Sequence, residues 1–202
     1  MKNLPEIHQA DYQYALPDER IARYPVEPRD SSKLLVYQNG NIRHEVFSEL
    51  AEQLPEDTFL VFNDTKVIPA RVFFRKATGA VIEVFLLHPE APSRIIHDVM
   101  QQTQRCGWSC LIGNKKRWKS GERLTAECKV QGMDCRVEAE LIDGERNWVA
   151  FSWTGGSCFA DVIRALGEIP LPPYLGRSAG IEDTASYQTV YSKVEGAVAS
   201  NT

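Results

Sequence analysis

The feature that most constrains this chain is a period-two alternation of apolar and polar side chains through its middle. Ala126, Cys128 and Val130 alternate with Thr125, Glu127 and Lys129, and Cys135, Val137, Ala139 and Leu141 alternate with Arg136, Glu138 and Glu140. Val149, Phe151 and Trp153 repeat the pattern against Trp148, Ala150 and Ser152. Successive side chains on a strand point to opposite faces, so each run has one wet and one buried side. Turn residues at Thr78-Gly79, Gly132 and Asp143-Gly144 punctuate the runs. Short half-buried strands with regular turns predict a small antiparallel β-barrel over residues 71–155.

The flanks carry other periodicities. Asn39-Gly40 between Leu34-Leu35-Val36-Tyr37 and Ile42-Arg43-His44-Glu45-Val46 predicts a type I′ hairpin. Phe47, Leu50, Ala51 and Leu54 follow helical spacing closed by Pro55, and Phe159, Val162, Ile163 and Leu166 follow it again, with Gly167 at the end. Pro17 suits the first turn of a short helix to Arg23, and Tyr12 and Tyr14 are expected to pack onto the body. Within 89–105, Ile95, Ile96, Val99 and Met100 predict a short amphipathic helix capped by Ser93. Mixed periodicities around an all-β middle predict one α/β domain with a mixed sheet, made of 1–70 and 156–202, with the barrel inserted between.

Residues 59–71 are pivotal. Phe59, Leu60, Val61 and Phe62 read as a buried strand that ends at Asn63-Asp64-Thr65-Lys66, a carboxamide, a carboxylate, a hydroxyl and an ammonium in succession. Val67-Ile68 resumes the apolar pattern, Pro69 breaks it and Arg71 follows. Polar groups released at a strand end suit a ligand crevice. They equally suit an Asx-turn with solvated cations.

Net charge is −4, so nucleic-acid contact would need a local basic patch. Residues 105–123 supply one: Arg105, Lys115, Lys116, Arg117, Lys119 and Arg123 stand against Glu122 alone, with Trp108 and Trp118 interleaved. That pattern suits phosphate contact and base stacking, or a solvated loop whose tryptophan covers the barrel mouth. The five cysteines, at 106, 110, 128, 135 and 158, lack tight metal-ligand spacing and read as reduced, buried thiols. No apolar run is long enough to span a membrane and the start lacks a signal-peptide core, so a cytoplasmic location is expected.

Four segments together resemble one family: 23–35 (Arg23-Tyr24-Pro25 to Leu35), 59–71, 167–174 (Gly167-Glu168-Ile169-Pro170-Leu171-Pro172-Pro173-Tyr174) and 187–191 (Tyr187-Gln188-Thr189-Val190-Tyr191). In this order they are similar to the S-adenosylmethionine:tRNA ribosyltransferase-isomerases of queuosine biosynthesis. The chain departs from that pattern in an extra stretch at 89–105 and at Ala199-Ser200-Asn201-Thr202. The resemblance therefore implies the N-terminal half of such an enzyme.

It also implies the chemistry: the ribosyl group of S-adenosylmethionine moves, and isomerises, onto 7-aminomethyl-7-deazaguanine in tRNA, giving epoxyqueuosine. S-adenosylmethionine is then the ribosyl donor and tRNA the partner, with a monomeric full enzyme and neither metal nor covalent nucleophile. Asp64, Lys66 and Glu168 are the implied catalytic groups. Arg23, Arg29, Asp30, Asn63, Thr65, Arg71, Tyr174, Tyr187, Gln188 and Tyr191 are the implied substrate contacts. Lys115, Lys116, Arg117, Trp118 and Lys119 are the RNA-contact candidates. A non-catalytic RNA-binding fragment or paralogue is the alternative, and the chain by itself is expected to be inactive.

Overall fold

A computed structural model describes residues 6–119, 121–177, 179–180 and 182–197. The terminal Ala199-Ser200-Asn201-Thr202, where the sequence departs from the family pattern, lies outside the described residues. The chain is mixed α/β and divides into two units, Met1–Leu60 with Pro173–Gly176, and Val61–Pro172 with Arg177–Thr202.

The first unit is built on one hairpin, β1 (Lys33–Gln38) and β2 (Asn41–Val46), antiparallel with Gln38 opposite Asn41. Asn39 and Gly40 both take positive φ, at 52° and 83°, as a type I′ turn requires. The 47–53 segment is a 3₁₀ helix, not the expected α-helix. Tyr12 and Tyr14 are exposed instead of packed, at 67% and 77%. Pro17 precedes a single 3₁₀ turn, Asp18–Arg20, and a second such turn, Arg29–Ser31, is braced by the Ser31 hydroxyl donating to the Pro28 carbonyl at 2.6 Å.

The second unit holds β3 (Thr65–Val67), β4 (Arg71–Arg75), β5 (Val81–Ala91), α1 (Ile96–Met100), β6 (Arg105–Gly113), β7 (Arg123–Val130), β8 (Met133–Asp143) and β9 (Trp148–Trp153). It continues with α2 (Phe159–Leu166), α3 (Asp183–Ser186) and β10 (Val194–Ala197). β4 to β9 form one antiparallel six-stranded sheet, in the order β4-β5-β6-β9-β8-β7. The two edge strands β4 and β7 approach each other and α2 lies against both, so the sheet curls into a nearly closed, barrel-like form. Lys76, at the end of β4, reaches Glu122 before β7 at 2.7 Å and clasps this seam.

The inward parity is the one expected from the alternation: Val72, Phe74, Ile82, Val84, Leu86, Val137 and Phe151 are buried. α2 contributes Phe159, whose ring sits 5.1–6.0 Å from Trp153, Phe151 and Trp108. Aromatic pairs at such separations add to the area they bury. α1 forms within 89–105 as expected, with Val99 and Met100 buried, but Ile95 and not Ser93 takes its cap position. Ile95 is exposed, and the Ser93 hydroxyl accepts from the Ile95 amide at 3.1 Å one turn ahead of the helix.

The 59–62 run departs from expectation. Phe59, Leu60, Val61 and Phe62 are irregular and exposed, at 89%, 49%, 84% and 57%. The regular strand begins only at Thr65, where β3 pairs in parallel with β10, Val194 opposite Thr65. An apolar run becomes a buried strand only if neighbours pair with it and cover it. Among the described residues this run has one ring contact, Phe62 to Tyr191 at 4.7 Å.

Gly167 ends α2 as read, for another reason than a left-handed cap. Its φ is −88°, and an added Cβ would stand 2.0 Å from the Pro69 carbonyl oxygen and 2.8 Å from that of Ile163. Replacing Gly167 by Ala is expected to lower stability by about 2–3 kcal/mol, because both obstructing atoms are backbone. Urea unfolding followed by tryptophan fluorescence measures this; an unchanged midpoint would mean that the crossing yields freely.

Candidate functional site

The chain enters the barrel after β3 and leaves it after α2, and the two crossings are stitched together. The Arg71 amide donates to the Glu168 carbonyl at 3.2 Å and the Glu168 amide donates back to Arg71 at 2.8 Å. Segments far apart in sequence therefore share one corner. Beside it lies a cavity of about 350 Å³ lined by Lys66, Val67 and Pro69, by Arg164, Gly167, Glu168 and Ile169, and by Ala179, Gly180, Thr184 and Gln188. Polar side chains of four kinds border it: two cations, one carboxylate, one hydroxyl and the Gln188 carboxamide. Such a set can hold a ligand bearing both charges, or move a proton at one end while anchoring the other.

Each wall has a local cause. Asn63 forms an Asx-turn, its Oδ1 accepting from the Thr65 amide at 3.0 Å and from the Thr65 hydroxyl at 2.8 Å. This turn opens β3, and the Asp64 carbonyl accepts from the Lys193 and Val194 amides at 2.7 and 3.2 Å. The Asp64 carboxylate is left exposed at the start of β3. Gln188 acts as a substitute neighbouring strand for Val67. Its Oε1 accepts from the Val67 amide and its Nε2 donates to the Val67 carbonyl, both at 2.8 Å.

The far wall rests on a pair that sequence reasoning missed. Arg177 makes a two-pronged contact to Asp183, 2.6 and 2.7 Å, and the Gly180 amide donates to the same carboxylate at 2.7 Å. Asp183 is the buried charged residue of the described chain, with its side chain 5% exposed. The Arg177 hydrogen bond holds its carboxyl below the usual carboxylate range, against the opposing effect of burial, with the Gly180 amide assisting. Neither residue sits in a periodic pattern; the signal on offer was an Asp opening a short helical turn, after a loop containing an arginine.

The other implied contacts fall elsewhere. Arg71 lies on β4 with its Nε 2.9 Å from Glu83, off the N–H axis, and its guanidinium 5.9 Å from the Phe85 ring centre. Tyr187 is half-buried, and the Tyr191 ring packs at a tilt of 47° against Phe62. Arg23, Arg29, Asp30 and Tyr174 belong to the first unit, where the Arg23 guanidinium donates to the Leu175 carbonyl at 3.1 Å.

The basic loop is tied both to itself and to neighbouring segments, with the Arg117 carbonyl accepting from Lys76 at 2.7 Å. Lys115 Nζ donates to the Gly144 carbonyl and, at 2.6 Å, to Asn147 Oδ1. Trp118 is 5% exposed, and its Nε1 donates to the Glu122 carbonyl at 2.9 Å. Lys116, Arg117 and Lys119 remain exposed. Cys106 and Cys110 are buried, and burial pushes both thiols up; Cys128, half-buried opposite Cys135, is pushed up to about 11. Such thiols stay protonated and inert at neutral pH.

A family model described as queuosine biosynthesis protein matches residues 9–202. The chain belongs to that family. Relatives named S-adenosylmethionine:tRNA ribosyltransferase-isomerase include proteins of Trichlorobacter lovleyi, 39% identical over 95% of this chain, and Pelobacter propionicus, 38% identical over 95%. A third, from Desulfitobacterium hafniense, is 40% identical over 95% of this chain. The chain spans about half the length of these relatives, 51%, 52% and 51% respectively. Among the described residues no helix is long and apolar enough to cross a membrane.

Replacing Asp183 by Asn removes the charged partner of the half-buried Arg177, and is expected to cost about 1–3 kcal/mol of local stability. Hydrogen exchange across 177–188 reads it. The sign with pH follows from the depressed carboxyl. Its contribution is complete above the unfolded value of about 3.9 and is lost as pH falls through the lower folded value. Protection of this segment should therefore hold at neutral pH and fail in acid in the wild type, while the Asn variant lacks this acid step.

Proposed function

We propose that this sequence is the N-terminal half of a tRNA-modifying transferase. It moves and isomerises the ribosyl group of S-adenosylmethionine onto 7-aminomethyl-7-deazaguanine in tRNA to give epoxyqueuosine. One observation carries the reading: the 65–69 and 167–169 segments, two of the family motifs, meet the 184–188 segment around one cavity. Family membership and the relatives' names support the reaction class. In the longer protein, 1–70 and 156–202 form an α/β domain with the barrel inserted. The full enzyme is monomeric and cytoplasmic.

The groups suit the chemistry. A sulfonium acidifies its neighbouring C5′ hydrogens, so a base of ordinary strength, a carboxylate such as Asp64 or Glu168, can remove one. Adenine leaves more readily with a proton supplied near its ring nitrogens, and the Lys66 ammonium at the cavity wall is the donor. Asn63 and Thr65, at the start of β3, are proposed to face the ribose hydroxyls, with Tyr187, Gln188 and Tyr191 along the same edge. Gln188 acts by fixing β3, because its carboxamide is taken up by Val67. Arg71 contributes through the barrel corner, and Arg23, Arg29, Asp30 and Tyr174 are proposed as substrate contacts of the first unit. Lys116, Arg117 and Lys119, with Lys115 and Trp118 shaping their loop, supply phosphate contact.

The test uses a protein of the relatives' full length carrying this sequence, with S-adenosylmethionine and tRNA bearing the precursor base, assayed for free adenine. Asp64→Ala is expected to lower turnover by about 10²-fold or more. Its melting temperature should hold, since surface substitutions rarely move stability beyond about 0.5 kcal/mol. No adenine release by the unsubstituted protein refutes the function. Loss of activity explained by loss of folding refutes the role of Asp64. The 202-residue chain alone is expected to release no adenine in the same assay.

A further inference from the structure

The outer face of the barrel carries a second cavity that the reaction does not use. It holds about 270 Å³ and is lined by Trp148 and Ala150 of β9, Arg105 and Gly107 of β6, and Pro92 and Gln102 from the segment around α1. The floor is small by necessity. An added Cβ at Gly107 would stand 2.7 Å from Trp148 Nε1, so the indole lies directly over that glycine. Its Nε1 is buried and has no hydrogen-bond partner among the described residues. Part of the wall comes from 89–105, the stretch that sequence reading set apart from the family.

The charge at the rim is specific. A smaller neighbouring cavity of about 170 Å³ shares Arg105 and Ala150 and adds Arg123, Glu138 and Glu140. Its two carboxylates are compensated: Glu138 by Arg123 and Arg136, and Glu140 by Arg123. The Arg105 guanidinium has no ion pair or hydrogen bond among the described residues, and the residue is exposed. An uncompensated guanidinium therefore stands beside a half-buried indole whose Nε1 edge covers the Gly107 floor.

We infer that this cavity takes one unpaired nucleotide of an RNA strand, its base against Trp148 and its phosphate on Arg105. Aromatic faces hold unstacked bases regardless of sequence, and a guanidinium supplies the phosphate contact. The other tryptophans, Trp108, Trp118 and Trp153, are 0%, 5% and 7% exposed and offer no such face. The inference rests on the RNA partner of the proposed function and moves base contact from the 115–119 loop to the opposite end of β6.

The test is titration of the 202-residue chain with a short fluorescein-labelled single-stranded oligoribonucleotide, read by anisotropy and by intrinsic tryptophan quenching. Trp148→Leu is expected to weaken binding about 5- to 150-fold, with Trp148→Phe restoring most of it. Arg105→Gln is expected to reduce the log–log salt slope by about 0.7. An abasic strand should bind the wild type no better than the intact strand binds Trp148→Leu. If Trp148→Leu does not fold, Arg105→Gln and quenching of the wild type decide the matter. Wild-type affinity and slope in both variants, with binding lost in a Lys116, Arg117 and Lys119 triple Ala variant, overturn this site and leave the RNA partner standing. No RNA binding by the wild-type chain at any salt concentration overturns both.

Discussion

The second unit depends on one close backbone crossing. Pro69 and Gly167 approach so tightly that no side chain fits between them, and Arg71 and Glu168 exchange two amide bonds one step further on. Between those positions run the barrel and α2, and most of the residues that line the cavity lie outside them. The barrel's internal packing, with Phe159 anchored among Trp108, Phe151 and Trp153, thus fixes where Lys66 and Glu168 stand. A core far from the chemistry sets the spacing of the groups that line it.

The cavity wall itself is secured by polar contacts more than by apolar burial. Gln188 binds both backbone groups of Val67, and Arg177 binds Asp183 with two nitrogens. Contacts of this kind demand a narrow geometry, and leaving one partner buried alone is costly. They specify a position without filling space, which leaves the neighbouring volume open for a ligand.

Most of the barrel was legible because a period of two survives in the sequence wherever one face is wet. The Asn39-Gly40 hairpin was legible for an equally local reason, since few residues tolerate two successive positive φ angles. What was not legible is non-local. Nothing near Thr65 announces that Val194 will lie beside it, and parallel pairing leaves no turn between the strands to mark it. The 59–62 run was apolar enough to be read as buried, yet burial is decided by what covers a segment and not by its composition. Lys66, Glu168 and Gln188 were named from motif resemblance and do meet at one cavity, whereas Arg177 and Asp183 gave no pattern to read. The basic loop held both outcomes in view, and Trp118 and Lys115 turn inward to shape it while Lys116, Arg117 and Lys119 stay in water.

The parallel pairing of β3 with β10 has a consequence for the order of folding. Joining residues 65 and 194 in a disordered chain would close a loop containing the entire barrel, at an entropic cost met by only a few backbone bonds. The barrel hairpins close short loops and need no such help. Once they and α2 have formed, the crossing at Pro69 and Gly167 already holds the two ends of that loop together, and the remaining search is local. The cavity is therefore the last part of the unit to assemble and the first to come apart, with the barrel beneath it still intact.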